Sequence, residues 1–380
     1  MDLNSLREQI DEIDSGLLPL FEKRMDVVRG VAQFKQENGL PIFHPERENA
    51  ILDRMANRAR PEYSASAKVL YTSMMELSKI QQRKQIGTIQ PFCEQIRSAL
   101  QNSGVGRPQH PRVACQGVEG AYSHIAADSL FPEAEITFHH AFEDVFRAVE
   151  QGDTEYGVLP VDNSNAGSVA DVYALMKQYD FFIAYSVKVK VEHCLAVRPG
   201  VSLDEVTQVY SHEQALMQCK NWFDAHPGKA PVKFQNTAMA AKFVSETDEP
   251  AAAICSCKSA ELYGLEILQS GIQNTDENYT RFMCIAKNLR LEPDANMVSV
   301  ALSIPNVPNS LYKLLTVFAA AGVDLTKIES KPIGTKNFDV IFYIDFLGNV
   351  RDENVFYLLN HLESEYEPFK FLGNYKETEA

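Results

Sequence analysis

Positive charge is scarce in this sequence. Its 380 residues include 36 Lys and Arg against 51 Asp and Glu, a formal net charge of −15. This balance argues against nucleic acid or an anionic membrane surface as the main partner. The chain also lacks any run of the ~18–20 apolar residues that a membrane span needs. Its first residues, Met1-Asp2-Leu3-Asn4, show neither the basic nor the apolar segment of a secretory signal. We therefore expect a globular protein of the cytoplasm.

Cysteine is sparse and unpatterned. The seven cysteines stand at positions 93, 115, 194, 219, 255, 257 and 284. An odd, scattered set favours reduced thiols over a disulfide framework. Cys255 and Cys257 are one residue apart, which is not a zinc-binding spacing, and no pair of histidines follows them. We therefore expect no metal site.

The length of the chain suggests two to four domains, and its charge is unevenly spread. Residues 1–90 hold 13 Lys and Arg against 13 Asp and Glu, so the rest of the chain carries the whole net charge. A near-neutral segment with many cations can still attract a small dianion.

The first segment has the apolar spacing of a long helix. Ser5-x-x-Glu8 is a capping-box pattern that predicts its start, and Gly39 with Pro41 predicts its end. Pro19 lies inside it, where proline bends most helices. The apolar positions at helical spacing are Leu6, Ile10, Ile13, Leu17, Leu20, Val27, Val31 and Phe34.

Two shorter helices are predicted, one from Pro45 and one over residues 64–85. Residues 1–90 then form an all-α module that cannot bury its long first helix alone. On that helix Arg24 and Lys35 lie within ~20° of one face and ~16 Å apart along the axis, whereas Arg7 is ~25 Å from Arg24. One small ligand cannot span the second distance, so Arg7 would have to serve a site in another subunit. The alternative for each cation is a solvated charged face.

The pattern resembles the all-helical class of chorismate mutase over essentially all of residues 1–90. The residues that carry the resemblance are Leu6-Arg7-Glu8-x-Ile10-Asp11-x-Ile13-Asp14, Arg24, Lys35, Pro45-Glu46-Arg47-Glu48, Ser78 and Gln82. The resemblance implies an intertwined homodimer in which one arginine crosses between subunits, in agreement with the reach of Arg7.

The resemblance also implies roles in binding chorismate. The arginines would hold its carboxylates and pyruvyl oxygens, Lys35 and Gln82 would act as the catalytic donors to the ether oxygen, and Glu48 would take the hydroxyl. His44 departs from the acidic residue common at its position, a change that a backbone contact would survive and a side-chain contact would not. The full implied set is Arg7, Arg24, Lys35, His44, Arg47, Glu48, Ser78 and Gln82.

After residue 90 the pattern of predicted secondary structure changes. Residues 91–111 combine a short helical pattern with a Gly/Pro-rich run and are predicted to be a linker. Residues 112–290 then alternate strands and helices, with polar loops where strands end, which favours a ligand cleft between two α/β lobes. Gly117 and Gly120 precede a helix start that could seat an anion, although a turn that needs glycine explains them equally.

The motifs of this segment resemble prephenate dehydratase, whose fold is like that of a periplasmic binding protein. In family order they are Gly117-x-x-Gly120-x-Tyr122-Ser123, Pro160-Val161-Asp162-Asn163-Ser164, Ser211-His212-x-Gln214-Ala215-Leu216 and Asn278-x-Thr280-Arg281-Phe282. The resemblance implies a site made of Asp162, Asn163, Ser164, Gln214, Thr280, Arg281 and Phe282.

Within that set Thr280 would be catalytic and would supply the hydroxyl that assists loss of the C4 hydroxyl of prephenate. Arg281 and the Ser164 loop would hold carboxylates, and Phe282 would pack against the ring. Asp162 stands where the family more often has Glu, which shortens the reach of the carboxylate. His212 is either an acid–base group or a loop anchor.

Residues 297–375 have the order βαββαβ. Helices are predicted over residues 310–321 and 353–362, with strands at 298–304, 325–330 and 339–346 and a last strand near Phe369. The order resembles an ACT domain, which implies a phenylalanine site at a subunit interface; a purely structural dimerisation role is the alternative. The implied regulatory residues are Asn309, Ser310, Leu311, Tyr312, Glu329, Ser330 and Lys331. Asn309 replaces a glycine and Lys331 replaces an arginine of the family motifs, so we expect weakened or altered sensitivity.

Together the three resemblances predict a multidomain enzyme with an all-α mutase, a two-lobed α/β dehydratase and an α+β regulatory module. It would convert chorismate to prephenate and prephenate to phenylpyruvate without a cofactor, as a homodimer or a dimer of dimers. The alternative is an active mutase fused to a two-lobed binding module without chemistry. A dehydratase that takes arogenate instead of prephenate also stays open.

Overall fold

The computed structural model of the chain describes residues 2–102, 107–332 and 340–380. It divides into two compact units. The first unit contains residues 1–101 and 298–371, and the second contains residues 102–297 and 372–380. Within the described residues, no helix is both long enough and apolar enough to cross a membrane.

The helices and strands follow one another in four stretches. The first is helical: α1 (Leu3–Glu37), α2 (Pro45–Arg58), α3 (Ser64–Ile86) and α4 (Pro91–Asn102). The second is β1 (Arg112–Gln116), α5 (Tyr122–Leu130), β2 (Glu135–His139), α6 (Phe142–Gln151), β3 (Tyr156–Asn163), β4 (Gly167–Ser168), α7 (Ala170–Gln178) and β5 (Phe182–Lys190). The third is β6 (Cys194–Val197), β7 (Gln208–His212), α8 (Glu213–Gln218), α9 (Lys220–Ala225), β8 (Ala230–Phe234), α10 (Thr237–Glu246), β9 (Ala251–Cys255), α11 (Cys257–Leu262), β10 (Glu266–Ser270) and β11 (Tyr279–Ala286). The fourth is β12 (Met297–Ser303), α12 (Ser310–Ala321), β13 (Asp324–Pro332), β14 (Val340–Leu347), α13 (Glu353–Glu365), β15 (Phe369–Tyr375) and β16 (Glu377–Glu379).

The start of α1 differs from the predicted one. Asp2, not Ser5, is the N-cap, and its carboxylate accepts from Ser5 N at 2.9 Å. The predicted capping box at Ser5 was therefore wrong. The N–H of Ser5 has no partner within the helix, and the Asp2 carboxylate, three residues earlier, accepts its hydrogen bond. The helix continues through Pro19, which removes only its own donor.

α1 buries little of its apolar surface in a single chain. Met25, Val28 and Ala32 are buried against the rest of the unit. The eight apolar residues of the predicted stripe stay 41–65% exposed. α3 packs on both α1 and α2, and its buried face is mostly polar, with Glu76, Lys79 and Gln82 among its members. Gly87 ends α3 in the left-handed conformation that glycine adopts without strain.

The helical pattern predicted inside residues 91–111 is the helix α4, and it belongs to the first unit. Its first N–H groups are capped by a carboxylate of α13: Phe92 N and Cys93 N donate to Glu363 at 2.9 and 3.2 Å. The side chain of Asn360 also accepts from Gln90 N at 2.7 Å. Residues 91–102 are therefore not a linker, and residues 103–106 of the predicted Gly/Pro-rich run lie outside the described residues.

The predicted βαββαβ order is confirmed for β12 to β15, with α12 beginning and ending at the predicted residues. The four strands pair in the order β13-β14-β12-β15. β13 and α13 extend two and three residues beyond their predicted ends, and Asp339, the predicted first residue of β14, lies outside the described residues. α12 and α13 both pack on α3.

The second unit contains two sheets, which confirms the two predicted α/β lobes. The larger sheet has the order β16-β5-β11-β3-β1-β2, with β4 paired to β3. The smaller has the order β10-β6-β9-β7-β8. β11 is antiparallel to both β3 and β5 and lies between them. Each sheet buries its own apolar cluster, centred on Tyr156 and Tyr185 in the larger and on Trp222 in the smaller.

One pair of cysteines contradicts the prediction of reduced thiols throughout. Cys194 and Cys257 are joined by a disulfide, while the other five cysteines are free and buried. Cys194 begins β6 opposite Cys255 of β9, and Cys257 begins α11 two residues after β9 ends. Spacing along the chain could not show this pairing, because strand pairing brings together residues that are 63 apart in sequence.

Thiol titration of the denatured chain tests the pairing. Without reduction we expect five reactive thiols, and after reduction seven. Cys257→Ser should show six thiols under both conditions, because it frees Cys194, whereas the matched control Cys255→Ser should show four and then six. Seven thiols before reduction would contradict the disulfide.

Candidate active sites

The first site is built on the polar face of α3. Arg24 of α1 donates to Ser78 Oγ at 2.6 Å and to the Met74 carbonyl at 3.2 Å. Gln82, one turn beyond Ser78, is buried and donates to the Ser78 carbonyl at 3.3 Å, while its side-chain oxygen has no partner. Burial lowers the pKa of Arg24, as expected for a guanidinium partly withdrawn from water. Three of the predicted mutase residues therefore meet in one place.

Lys35, near the end of α1, lies beside the same face. Its ammonium donates to the Ile42 carbonyl at 2.6 Å. Burial lowers the pKa of Lys35, the positive charge of Arg47 lowers it further, and the negative charge of Glu48 raises it. Arg47 and Glu48, both in the first turn of α2, are thus close enough to Lys35 to act on its charge. A cavity beside Lys35 is also lined by Gln36, Leu40, Ile42 and Arg83.

Two residues that sequence analysis missed complete this cluster. Lys79 Nζ lies 3.0 Å from a carboxylate oxygen of Glu76 and 3.8 Å from one of Glu48, and Lys79 is 5% exposed. Burial raises the pKa of Glu48, and the Lys79 ammonium opposes that shift. Glu76, Lys79 and Gln82 follow one another at intervals of three, so helical spacing was a signal that could have placed them together.

Two predicted mutase residues are not brought to this cluster within one chain. Arg7 is exposed in the second turn of α1, far along the helix from Arg24. His44 is the N-cap of α2, is exposed, and makes no side-chain cap bond. Only the backbone of His44 therefore has a structural part in the start of α2.

The second site lies at the end of β11 in the second unit. Asn163, at the end of β3, donates from Nδ2 to Thr280 Oγ1 at 2.9 Å and to Asn278 Oδ1 at 2.9 Å. Thr280 and Asn163 face each other in the register of β11 and β3. Ser164 Oγ accepts from Tyr279 N at 3.0 Å and fixes the loop that follows β3. The predicted residues Asn163, Ser164 and Thr280 are therefore adjacent.

This polar cluster continues into the smaller lobe through residues that sequence analysis missed. Asn278 Nδ2 donates to Gln218 Oε1 at 3.2 Å, and His193 Nε2 lies 2.9 Å from the same oxygen. His193 is 1% exposed, its Nδ1 has no hydrogen-bond partner among the described residues, and burial lowers its pKa. Gln218 lies one helical turn after the predicted Gln214, and this spacing could have identified it from sequence. No feature of the sequence pointed to His193, because only the fold brings it to this cluster.

A cavity opens beside this cluster. Its lining combines side-chain amides with a threonine and a methionine, and includes the predicted Gln214. The lining residues are Asn165, Ala166, Gln214, Met217, Gln218, Gln273, Asn274, Thr275 and Asn278. His212 Nδ1 accepts from Gln214 N at 3.3 Å as the N-cap of α8, so of its two predicted roles the structure shows the loop anchor.

Two residues predicted to touch substrate do not face this cavity. Phe282 is 2% exposed within the apolar cluster of the larger sheet and cannot stack on a ligand. Arg281 contacts Glu377, Asp162, Tyr375 and Ser186, and its side chain is 10% exposed. Alternation along the strand explains the direction of Arg281, because the immediate neighbour of Thr280 on β11 points to the opposite face. Asp162, whose carboxylate is 3.6 Å from Arg281, is drawn to the same side.

The predicted regulatory residues lie on two elements of the first unit. Asn309 has φ of 69° and precedes α12, so it takes a left-handed conformation that glycine adopts more readily than a residue with a side chain. Tyr312 OH lies 2.7 Å from Ser73 Oγ of α3, and Leu311 is 40% exposed. Glu329, Ser330 and Lys331 lie on β13, at one edge of the four-stranded sheet, where Lys331 Nζ is 2.6 Å from Glu329. Ser310 is the first residue of α12.

Neither site contains a cluster suited to a metal. Among the described residues there is no group of three or more His, Cys, Asp or Glu side chains placed to hold an ion.

Both sites fall within known enzyme families. The chorismate mutase type II family matches residues 6–83, and the prephenate dehydratase family matches residues 113–290. A bifunctional chorismate mutase/prephenate dehydratase of Aquifex aeolicus is 30% identical over 98% of both chains, and one of Pseudomonas aeruginosa is 31% identical over 98% of this chain and 97% of its own. An arogenate dehydratase/prephenate dehydratase 2 of Arabidopsis thaliana is 38% identical over 70% of this chain and 72% of its own.

Solved structures agree over the shorter range. A prephenate dehydratase of Arthrobacter aurescens in complex with L-Phe is 28% identical with a TM-score of 0.64, and the match covers 70% of this chain and 89% of that one. A protein described as a quorum quenching acylase is 31% identical with the same TM-score, over 70% of this chain and 97% of that one. The two bifunctional relatives named above match over 98% of this chain, which includes the helical residues as well as the two lobes. Because their similarity extends along nearly the whole chain, this chain belongs to the bifunctional chorismate mutase/prephenate dehydratase family.

Proposed function

We propose that the first unit rearranges chorismate to prephenate and that the second unit converts prephenate to phenylpyruvate. The observation that carries the proposal is that each unit has its own polar cluster of matching chemistry. One cluster gathers Arg24, Lys35 and Gln82, and the other gathers Asn163 and Thr280. The comparisons support both activities in one chain.

The rearrangement breaks the ether C–O bond and forms a C–C bond without moving a proton. Its site needs only to hold a dianion in a compact conformation and to place donors where the ether oxygen gains charge. We assign the Lys35 ammonium and the Gln82 amide to that oxygen. Lys35 spends one of its three donors on the Ile42 carbonyl and keeps two for a ligand. Arg24 and Arg47 would hold carboxylates, and Glu48 would accept from the substrate hydroxyl.

The second reaction removes the ring carboxylate of prephenate as carbon dioxide and its C4 hydroxyl as water. The electron pair of the breaking C–C bond enters the ring, hydroxide leaves from C4, and the gain of aromaticity drives both steps. Asn163 donates to Thr280 Oγ1, which leaves the hydroxyl hydrogen of Thr280 to point elsewhere. We propose that this hydrogen forms a hydrogen bond to the departing hydroxide, which becomes water by taking a proton from solvent, so that Thr280 keeps its own. The amides that line the neighbouring cavity, Gln214 and Gln218 among them, would orient the carboxylates.

Regulation by phenylalanine is proposed for the βαββαβ segment, which we assign to the ACT family. The structure from Arthrobacter aurescens, a complex with L-Phe, supports phenylalanine as a ligand of such chains. Asn309 has the positive φ that glycine favours, whereas Lys331 lacks the planar fork of arginine. We therefore propose a retained but weakened response.

A homodimer is proposed on the exposed apolar stripe of α1. Ile13, Leu17 and Leu20 are 62%, 56% and 65% exposed, and the stripe continues in both directions. An apolar face of this length is costly in water and is covered when a second α1 packs on it. In such a dimer Arg7 would enter the site of the partner subunit, which explains why it is distant from Arg24 in its own chain.

Two substitutions should separate the activities. Lys35→Ala should lower the mutase rate by about a hundredfold or more, because it removes a charge from the transition state, and should leave prephenate turnover unchanged. Thr280→Ala should do the reverse. Both variants are assayed in full-length chain with chorismate, prephenate and arogenate supplied separately. A variant that loses both activities, or that keeps both, would contradict the assignment. Accumulation of prephenate by the wild-type chain supplied with chorismate would also contradict it.

Mixing two inactive variants tests the dimer. Arg7→Ala and Lys35→Ala chains should each lack mutase activity, and subunit exchange between them should restore about a quarter of the wild-type rate, because half of the dimers are mixed and each has one intact site. Arg7→Ala mixed with itself is the control. No recovery after verified exchange would contradict a site shared between subunits.

Restoring the family residues should sharpen the response to phenylalanine. In Asn309→Gly/Lys331→Arg the half-effective phenylalanine concentration for dehydratase should fall several-fold, because glycine fits the positive φ and arginine can bind a carboxylate through two bonds. Lys327→Arg, on the same strand, is the matched control. Equal phenylalanine responses in all three chains would contradict the proposed site.

A further inference from the structure

The C-terminal strand places a carboxylate beside the arginine that follows Thr280. β16 pairs in parallel with β5, and Glu377 lies opposite Ser186. Glu377 Oε2 is 2.6 Å from Arg281 Nε and accepts from Ser186 Oγ at 3.2 Å, while Oε1 is 2.6 Å from Lys188 Nζ. The side chains of Glu377 and Arg281 are each 10% exposed. This is a nearly buried ion pair with additional hydrogen bonds, not a surface contact.

Arg281 is held from two further directions. Its Nη2 donates to Tyr375 OH at 2.6 Å, and its Nη1 is 3.6 Å from the carboxylate of Asp162. Ser186 belongs to β5 and Asp162 to β3, the two strands that flank β11. The guanidinium therefore joins three neighbouring strands, and Glu377 supplies the nearest negative charge.

Strand geometry relates this ion pair to the Thr280 hydroxyl. Successive side chains of a strand point to opposite faces, so Arg281 and Thr280 lie on opposite faces of β11. In the register with β3, Arg281 lies opposite Asp162 and Thr280 lies opposite Asn163. A displacement of β11 against β3 would thus change the distance between the Thr280 hydroxyl and the amide that orients it.

We infer that Glu377 is a positioning residue of the dehydratase, which acts through Arg281 on the placement of the Thr280 hydroxyl. The inference rests on the role proposed for Thr280. Glu377 lies outside residues 113–290, the range that matches the dehydratase family. A residue of β16 would therefore take part in a site whose other residues all lie within that range. Without the Glu377 carboxylate, the positive charge of the buried Arg281 guanidinium is only partly balanced. The strands β3, β11 and β5, which the guanidinium joins, could then shift relative to one another.

The alternative is that Arg281 binds a substrate carboxylate and that Glu377 merely occupies it in the absence of substrate. The two cases predict different kinetics. A competing carboxylate raises KM, so its removal would lower KM. A positioning carboxylate affects the transition state, so its removal lowers kcat and leaves KM nearly unchanged.

The test compares Glu377→Gln with the matched control Glu379→Gln in the full-length chain. Both remove one negative charge from β16, but Glu379 is exposed. In Glu377→Gln we expect the dehydratase kcat to fall about tenfold or more with KM changed less than twofold. The mutase rate should stay at the wild-type value, and Glu379→Gln should match wild type throughout. Fluorescence of Trp222, the single tryptophan and a core residue of the second unit, reports whether that unit is folded at the assay temperature.

Two further variants separate positioning from general stabilisation. If Glu377 acts through Thr280, then Thr280→Ala/Glu377→Gln should be no slower than Thr280→Ala alone. Glu377→Asp, which keeps the charge, should turn over faster than Glu377→Gln and serves as the test chain if the glutamine variant does not fold. An unchanged kcat in Glu377→Gln, a lower KM, or losses that multiply in the double variant would each overturn the inference. If Thr280→Ala itself keeps the wild-type rate, the proposed function of Thr280 fails, which is a different result from a failure of Glu377.

Discussion

The charges on the buried face of α3 must be paired, and this requirement organises the first unit. Lys79 is paired with Glu76 on its own helix and with Glu48 of α2, while Arg83 is paired with Glu365 of α13. Burial lowers the pKa of Arg83 to about 10, which shows how far this face is withdrawn from water. Removing one partner would leave a buried charge uncompensated, which typically costs about 3–5 kcal/mol. The mutase cluster and the βαββαβ segment are therefore held by one set of ion pairs.

In the second unit the central position of β11 has a comparable effect. Because β11 pairs with β3 on one side and β5 on the other, its side chains have only two directions available. Thr280 takes the direction of Asn163 and the polar cluster, and Arg281 takes the opposite one, where β16 brings Glu377. Phe282 enters the apolar cluster. Three consecutive residues thus have three different roles: Thr280 supplies a hydroxyl group, Arg281 forms an ion pair and Phe282 packs in the core.

The proposed reactions suit such sites. Neither the rearrangement nor the aromatising loss of carbon dioxide and water needs a covalent intermediate, so each depends on orientation and on charge placed in advance. Buried amides, paired cations and a hydroxyl held by a fixed amide donor are rigid groups of that kind. The apolar stripe of α1 is the exception, because it stays exposed in a single chain; it is the surface on which we propose that a second copy packs.

Local and periodic features of the sequence determined the elements: the three helices of residues 1–90 and the βαββαβ order follow from apolar spacing and turn residues. Motifs in family order also predicted site residues, of which Arg24, Ser78 and Gln82 lie together in the first unit and Asn163 and Thr280 lie together in the second. Tertiary structure alone decided the directions and the distant partners. Lys79, His193, Glu377 and the disulfide of Cys194 with Cys257 depend on residues brought together from far along the chain, and Arg281 and Phe282 turn away from the cavity. The physical reason is that short-range periodicity specifies only the face of a helix or strand on which a side chain lies. Which distant residue contacts that side chain depends on tertiary packing and on the pairing of buried charges.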